Sequence, residues 1–313
     1  MKMLSRILFL TLFFIAFGNE IKAKDEPVKF KLNPKSGTTL RFKEQNSQVQ
    51  LVNGDSNVSR QITYGTWFFP ERKGDTIIAV WSSNRIVYEK SVGLKSDYVD
   101  TDSGDEDVED DNIMLAMFKA MLGKKLTIKF SENADVYAVE GSKEMMDSIM
   151  NVLILKNKKI GEDVRKLVSG MIDENTFKTN LTRMFSYMPK GKSVKKGSRW
   201  KSNTNTKSGF MKIASSSTFT LDEMNNNKCI VSQRGTSTVT GKTEMEISGM
   251  KVKMGMNMKA AITGNSHLDL NTLWVKSYIT TSLLKGTVTT TVQNEKTVIK
   301  QIITTVSKLE ILD

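Results

Sequence analysis

Apolar and polar positions alternate with a period of two over most of this chain, and the period changes once, in the middle. Thr39-Leu40-Arg41-Phe42 alternates, and the runs Ile62 to Phe69 and Thr76 to Trp81 are β-branched and aromatic. Turn residues separate them at Asn53-Gly54-Asp55 and Lys73-Gly74-Asp75, which predicts antiparallel hairpins. Near residue 112 the spacing becomes helical. Met114, Met117, Phe118 and Met121 share one face, with Asn112 as N-cap and Gly123 just past the end. Leu126 to Phe130 and Asp135 to Val139 then predict a hairpin turning at Glu132-Asn133.

Three more helical faces follow: Met145, Ile149, Val152 and Leu153; Val164, Leu167, Val168 and Met171; and Phe177, Leu181, Met184 and Phe185. Ser142 caps the first, and Asp173 and Glu174 suit the N-terminus of the last, where the helix dipole favours acids. Pro189 and Gly191 end it. From Lys195 the period of two returns and lasts to the end of the sequence. Thr287 to Ile311 reads as a terminal hairpin around Asn294-Glu295-Lys296, with a shift of register. Ser36-Gly37-Thr38-Thr39-Leu40-Arg41 resembles Lys196-Gly197-Ser198-Arg199-Trp200-Lys201, a faint internal repeat.

The expected fold is α+β, predominantly antiparallel sheet, arranged as two open β-lobes with a helical insert between them. The expected divisions are a signal peptide at 1–23 and an N-terminal lobe at 24–111 ending in an acidic loop. A helical insert with one hairpin follows at 112–188, then a C-terminal lobe at 189–313. The signal peptide is read from Lys2 and Arg6 ahead of the apolar run Ile7 to Phe17, followed by small residues. That run is 11 residues, short of the roughly 20 that a membrane-spanning helix needs. Cleavage fits after Gly18 or after Ala23. No cysteine lies near either point, so the expectation is an exported chain, periplasmic or extracellular, without a lipid anchor and without a transmembrane segment.

Composition narrows the chemistry further. The formal net charge is +12, and removing 1–23 takes three cations and one anion, so the exported chain stays basic. A basic exported chain suits anionic envelope surfaces, and nucleic acid is not expected as a partner. The single cysteine, Cys229, lies in an apolar strand context, where a small buried thiol is expected. The single histidine, His267, falls opposite Leu268 and Leu270 in the alternation and is expected to face solvent. Without a poised base, nucleophile-and-base catalysis has no obvious residues. No catalytic residue, metal site or cofactor motif is assigned. A carboxylate-pair enzyme would need two acids close in space, and no pair stands out.

Nine of the fifteen residues from Asp97 to Asp111 are acidic. Asp100 to Asp107 lacks the order of a calcium loop, because Gly104 comes one place early. Loose calcium binding competes there with a solvated loop. The basic run Lys190, Lys192, Lys195, Lys196, Arg199 and Lys201 suits anionic lipid or polysaccharide, or serves as a solvated connector.

Met250-Lys251-Val252-Lys253-Met254-Gly255-Met256-Asn257-Met258 is the most unusual segment. On a strand its methionines share one face and its lysines the other. Met245 and Ile247 have the opposite parity, so a bulge or turn is expected at Ser248-Gly249. Ordinary core packing, a polarizable lining for a greasy ligand, and Cu(I) capture by thioethers all fit; the flanking lysines oppose the metal.

Several passages resemble an uncharacterised family of exported bacterial envelope proteins, a domain of unknown function. They are Met121 to Ile128, Val136 to Gly141, Met188-Pro189 through Trp200, the Met-rich strand, and Leu268 to Ser277. The glycine usual before the tryptophan of the last passage is Leu273 here. The resemblance implies no catalytic residues. More distantly, an open antiparallel sheet with inserted helices looks like the lipoprotein-carrier half-barrels of the cell envelope. The expected function is non-enzymatic: an apolar sheet face holding a lipid or hydrophobic ligand. Met250, Met254, Met256 and Met258 are the expected binding residues, with Met114, Met117, Phe118 and Met121 as a lid. The alternative is a structural or adhesive module without a small ligand, binding a protein partner or an anionic envelope surface.

Overall fold

The computed structural model describes residues 27–102, 113–156, 174–208, 210–225, 228–247 and 250–312. The expected signal peptide, the cap at Asn112, the helix through Val164 to Met171, the acidic residues 103–111 and the turn at Ser248-Gly249 lie outside them.

Alternation and turn chemistry become strands in chain order. They are β1 (Val28–Lys29), β2 (Thr38–Val52), β3 (Asp55–Phe69), β4 (Arg72–Lys73), β5 (Thr76–Val92) and β6 (Lys95–Asp100). Helix α1 (Ile113–Met121) follows, then β7 (Lys125–Ser131), β8 (Val136–Glu140), α2 (Ser142–Lys156) and α3 (Glu174–Met184). A short 3-10 turn, Phe185–Tyr187, leads to β9 (Ser193–Val194) and β10 (Arg199–Ser208). The remaining strands are β11 (Met211–Asn225), β12 (Lys228–Ile247), β13 (Met250–Leu268), β14 (Val275–Val292) and β15 (Glu295–Leu312).

Where two lobes are expected, thirteen of the strands form one continuous antiparallel sheet, and β1 and β9 pair separately as a small two-stranded one. The order of the large sheet is β10-β11-β12-β13-β14-β15-β2-β3-β5-β7-β8, with β4 and β6 also on β5. The joint is β15 against β2, where Leu309 faces Glu44 and Ile311 faces Phe42. Left apart, these strands would each present a long open edge, and pairing them satisfies both rows of backbone groups. The hairpin β7–β8 joins the same sheet through β5, with Trp81 opposite Leu126.

The internal repeat is a repeated turn. The Gly37 N–H donates to the Phe69 carbonyl at 2.7 Å, and the Gly197 N–H to the Leu221 carbonyl at 2.7 Å. The next N–H of each, Thr38 and Ser198, closes onto Lys35 and Lys195. Both glycines have positive φ, +78° and +83°, a conformation that a side chain would strain. Met245 pairs with Val252 and Ile247 with Met250, so the segments on either side of the expected bulge or turn at Ser248-Gly249 are antiparallel neighbours.

The main core sits at one end of the sheet, around Trp274. Its ring lies 5.1 Å from Phe69, 5.3 Å from Trp67 and 5.4 Å from Phe185. Cys229 is buried there as a free thiol, and burial pushes its pKa up to about 11. The loop before Trp274 is held by Asp269, whose Oδ1 accepts from the N–H groups of Asn271 and Thr272. Leu273, standing where glycine is usual, has φ +52°.

Helix α3 packs against β8 on one side and β10 on the other, and these are the two ends of the strand order. Lys178 ties it to β8 through the Tyr137 carbonyl at 3.1 Å. The sheet therefore curls until its ends approach one helix. No helix among the described residues is long and apolar enough to cross a membrane.

Candidate ligand-binding cavity

Curling turns one face of every strand inward, and the period of two dictates which residues stand there. On β3, β5 and β7 the neighbours Trp67, Trp81 and Leu126 line up across the sheet. Phe42 on β2 is paired with Gly65, and its ring lies over that glycine: a Cβ there would meet Phe42 Cζ at 2.6 Å. On the other wall the inward positions are small and polar. Ser202 pairs with Ser217, Thr204 with Ser215, Thr280 with Ser307, and Ser282 with Thr305. Gln233 Nε2 donates to Ser217 Oγ at 2.9 Å.

These two walls and helix α3 enclose a cavity of about 680 Å³. Helix α3 contributes Phe177, Leu181 and Met184 as an apolar stripe and Asn180 and Arg183 as a polar one. The volume falls in the range of small-molecule sites, roughly 300–1,000 Å³. These apolar helix residues, legible from spacing, are half-buried against the cavity, while Thr176 is the buried residue of the helix.

Two charged side chains line the cavity. Glu44 accepts from the Tyr278 hydroxyl at 3.1 Å and from Asn46 Nδ2 at 3.4 Å. Burial pushes its pKa up, against the lowering by those two donors. Burial and the neighbouring Glu44 carboxylate raise Tyr278 as well. Arg183 stands on the last turn of α3, open to water yet surrounded by cavity walls. Burial alone lowers its pKa, and among the described residues it has no ion pair or hydrogen bond.

The eight residues expected to form the site fall elsewhere. Met258 is buried, Met254 and Met256 are half-buried, and Met250 is exposed. By register they share the inner face with Ile262 and Ser266, which line the cavity, but sit farther along β13. Met254 and Met256 border a second depression of about 610 Å³, beside Lys242, Lys253 and Lys296. Helix α1 packs on α2 and β6 instead. Phe118 is buried in a small cluster with Ile86, Val99 and Leu115, and Met117 and Met121 rest partly buried on the main core. Met114 belongs to α1, which β14, β15, β2 and β3 separate from β13 in the strand order leading to β5. The lid and the methionine strand are not brought together.

The cavity residues missed by sequence reasoning come mainly from β10, β11, β14 and β15, with aromatic rings from β2, β3 and β5. The signal was present as inward positions reading Ser and Thr where a packed core would demand apolar side chains. His267 is exposed on the opposite face of β13 from the cavity-lining Ser266. No group of three or more His, Cys, Asp or Glu able to hold a metal occurs among the described residues.

The family model for DUF6263, a family of unknown function, matches residues 88–275, more than half of the chain, and the chain belongs to that family. No curated protein matches it. A structure of lipovitellin, solved for its lipid–protein interactions, is similar at 8% identity and a TM-score of 0.47, over 89% of this chain and 25% of that one. The chain thus spans a quarter of the lipovitellin chain. The Pseudomonas aeruginosa OccK5 structure matches at 5% identity and a TM-score of 0.25, over 91% and 100% of the two chains. An outer membrane channel of Pseudomonas putida F1 matches at 8% and 0.23, over 92% and 99%.

Proposed function

We propose that this member of a family without an assigned activity is a non-catalytic, exported binding protein of the cell envelope that holds an amphiphile under α3. One observation carries the reading: a single cavity of about 680 Å³ has an aromatic floor and a hydroxyl-rich wall. Trp67, Trp81, Phe177 and Leu181 suit an alkyl chain, whose burial contributes ~0.8 kcal/mol per methylene. The serines, threonines and Gln233 suit a polar head, which an all-apolar wall would leave without hydrogen bonds. The signal-like N-terminus and the basic balance support an envelope address.

The test is organic extraction of the purified mature chain followed by mass spectrometry, and titration with dodecyl maltoside followed by tryptophan fluorescence. A bound amphiphile, or saturable uptake that weakens about tenfold in Phe177→Ala, supports the proposal; each lost methylene contact is worth a factor of about four. An empty protein that takes up no amphiphile overturns it.

A second reading, docking on an anionic envelope surface, is favoured by the outer face. Val49, Leu51, Val58, Leu283 and Ile302 are 37–42% exposed there, with Lys285 paired to Ile302 and Lys259 to Lys285. Salt-sensitive binding to vesicles containing phosphatidylglycerol, lost in Leu51→Ser with Ile302→Ser, supports it; binding that ignores salt counts against it.

A further inference from the structure

We infer that the cavity selects amphiphiles with an anionic phosphate or carboxylate head, and that Arg183 is the residue that binds the head. This rests on the amphiphile reading above and adds the charge class of the ligand.

The lining contains one cation, Arg183, and one acid, Glu44. Glu44 is on β2, engaged with Tyr278 and Asn46. It exerts no charge effect on Arg183, whose pKa is moved by burial alone. The Glu44 carboxyl is committed to the Tyr278 hydroxyl and Asn46 Nδ2, and no hydrogen bond or ion pair joins it to Arg183 among the described residues. Arg183 is thus a fixed positive charge among partly desolvating walls, with its donors uncommitted among the described residues. A guanidinium presents a planar fork that matches phosphate or carboxylate oxygens two at a time. Such a bond strengthens as the ligand displaces water from the walls.

Position supports the assignment. Arg183 and Asn180, three residues apart on one side of α3, line the same cavity as Phe177, Leu181 and Met184, so one helix offers it both a polar and an apolar stripe. An amphiphile needs that adjacency. A cation on the last helical turn also suits the helix dipole, a role that lysine would fill equally well. The two roles separate in variants.

The experiment uses the mature full chain, its Arg183→Gln and Arg183→Lys variants, and tryptophan fluorescence with four probes: dodecyl phosphate, dodecanoate, dodecyl maltoside and inorganic phosphate. Dodecyl phosphate is expected to bind at least tenfold more tightly than dodecyl maltoside. Arg183→Gln should weaken dodecyl phosphate at least tenfold and erase that preference, with a much smaller change in maltoside affinity, and Arg183→Lys should restore part of it. Equal weakening of all probes would make the residue structural and overturn the inference, as would an unchanged preference in Arg183→Gln. Inorganic phosphate competing as strongly as dodecyl phosphate would assign Arg183 to a free anion and overturn the amphiphilic class. Failure of every probe to bind would overturn the proposed function along with it.

Discussion

The Tyr187 hydroxyl donates a 3.1 Å hydrogen bond to the carbonyl oxygen of Leu273, with both residues buried. It ties the 3-10 turn after α3 to a loop whose Leu273 holds a left-handed conformation, φ +52°. A leucine is strained there, and surrounding contacts must hold it in place.

Tyr187→Phe should therefore destabilise the protein by about 1–3 kcal/mol, the cost of leaving a buried carbonyl unpaired. Urea unfolding with an unchanged slope measures this. A variant as stable as the parent would show that the bond is dispensable.

Gly65 lies where β3 and β5 shift register, under the Phe42 ring. A Cβ there would approach the Ser82 carbonyl oxygen at 2.3 Å, so Gly65→Ala must push backbone and ring apart. We expect a loss of about 1–3 kcal/mol from overpacking. Amphiphile uptake should fall as well, because Phe42 forms part of the cavity floor. Retained uptake at full stability would contradict the close packing.

Glu44 predicts a pH dependence with a definite sign. Its folded pKa is raised above the ordinary 4.5, so the folded state binds its proton more tightly than the unfolded state does. Its contribution is therefore most favourable in acid and falls as the pH rises from about 4.5 through the folded value. Glu44→Gln should be more stable than the parent at pH 7, and the advantage should vanish below pH ~4. Thermal midpoints across that range test it, and a destabilised variant at pH 7 would refute it.

Asp100 has the opposite sign. Arg85 holds its carboxylate in two hydrogen bonds, 3.0 and 2.5 Å, and lowers its pKa. That stabilisation is present above the ordinary 3.8 and lost as the pH falls through the lower folded value. Asp100→Asn should lower stability at pH 7 and matter less in strong acid. Equal stability loss at every pH would point to packing instead.

Much of the architecture was legible because its causes are local. Hairpins at Asn53-Gly54 and Lys73-Gly74 follow from turn residues that tolerate positive φ, and helices α2 and α3 from apolar spacing with an acid in the first turn. The methionine strand was read correctly as one apolar and one cationic face. Its distance from the cavity was not readable, because alternation assigns a face but not a height along a curled sheet.

The sequence alone determined the strands, most of the turns, the change to helical spacing and the repeated Gly37 and Gly197 turns, since each depends on neighbours within a few residues. Only the tertiary structure decided that β15 closes onto β2, that α3 spans the sheet's two ends, and that Phe42, Trp67 and Arg183 line one space. Those outcomes depend on pairing and curvature among residues far apart in the chain. The energy that selects them comes from long-range burial and edge pairing, which no local pattern encodes.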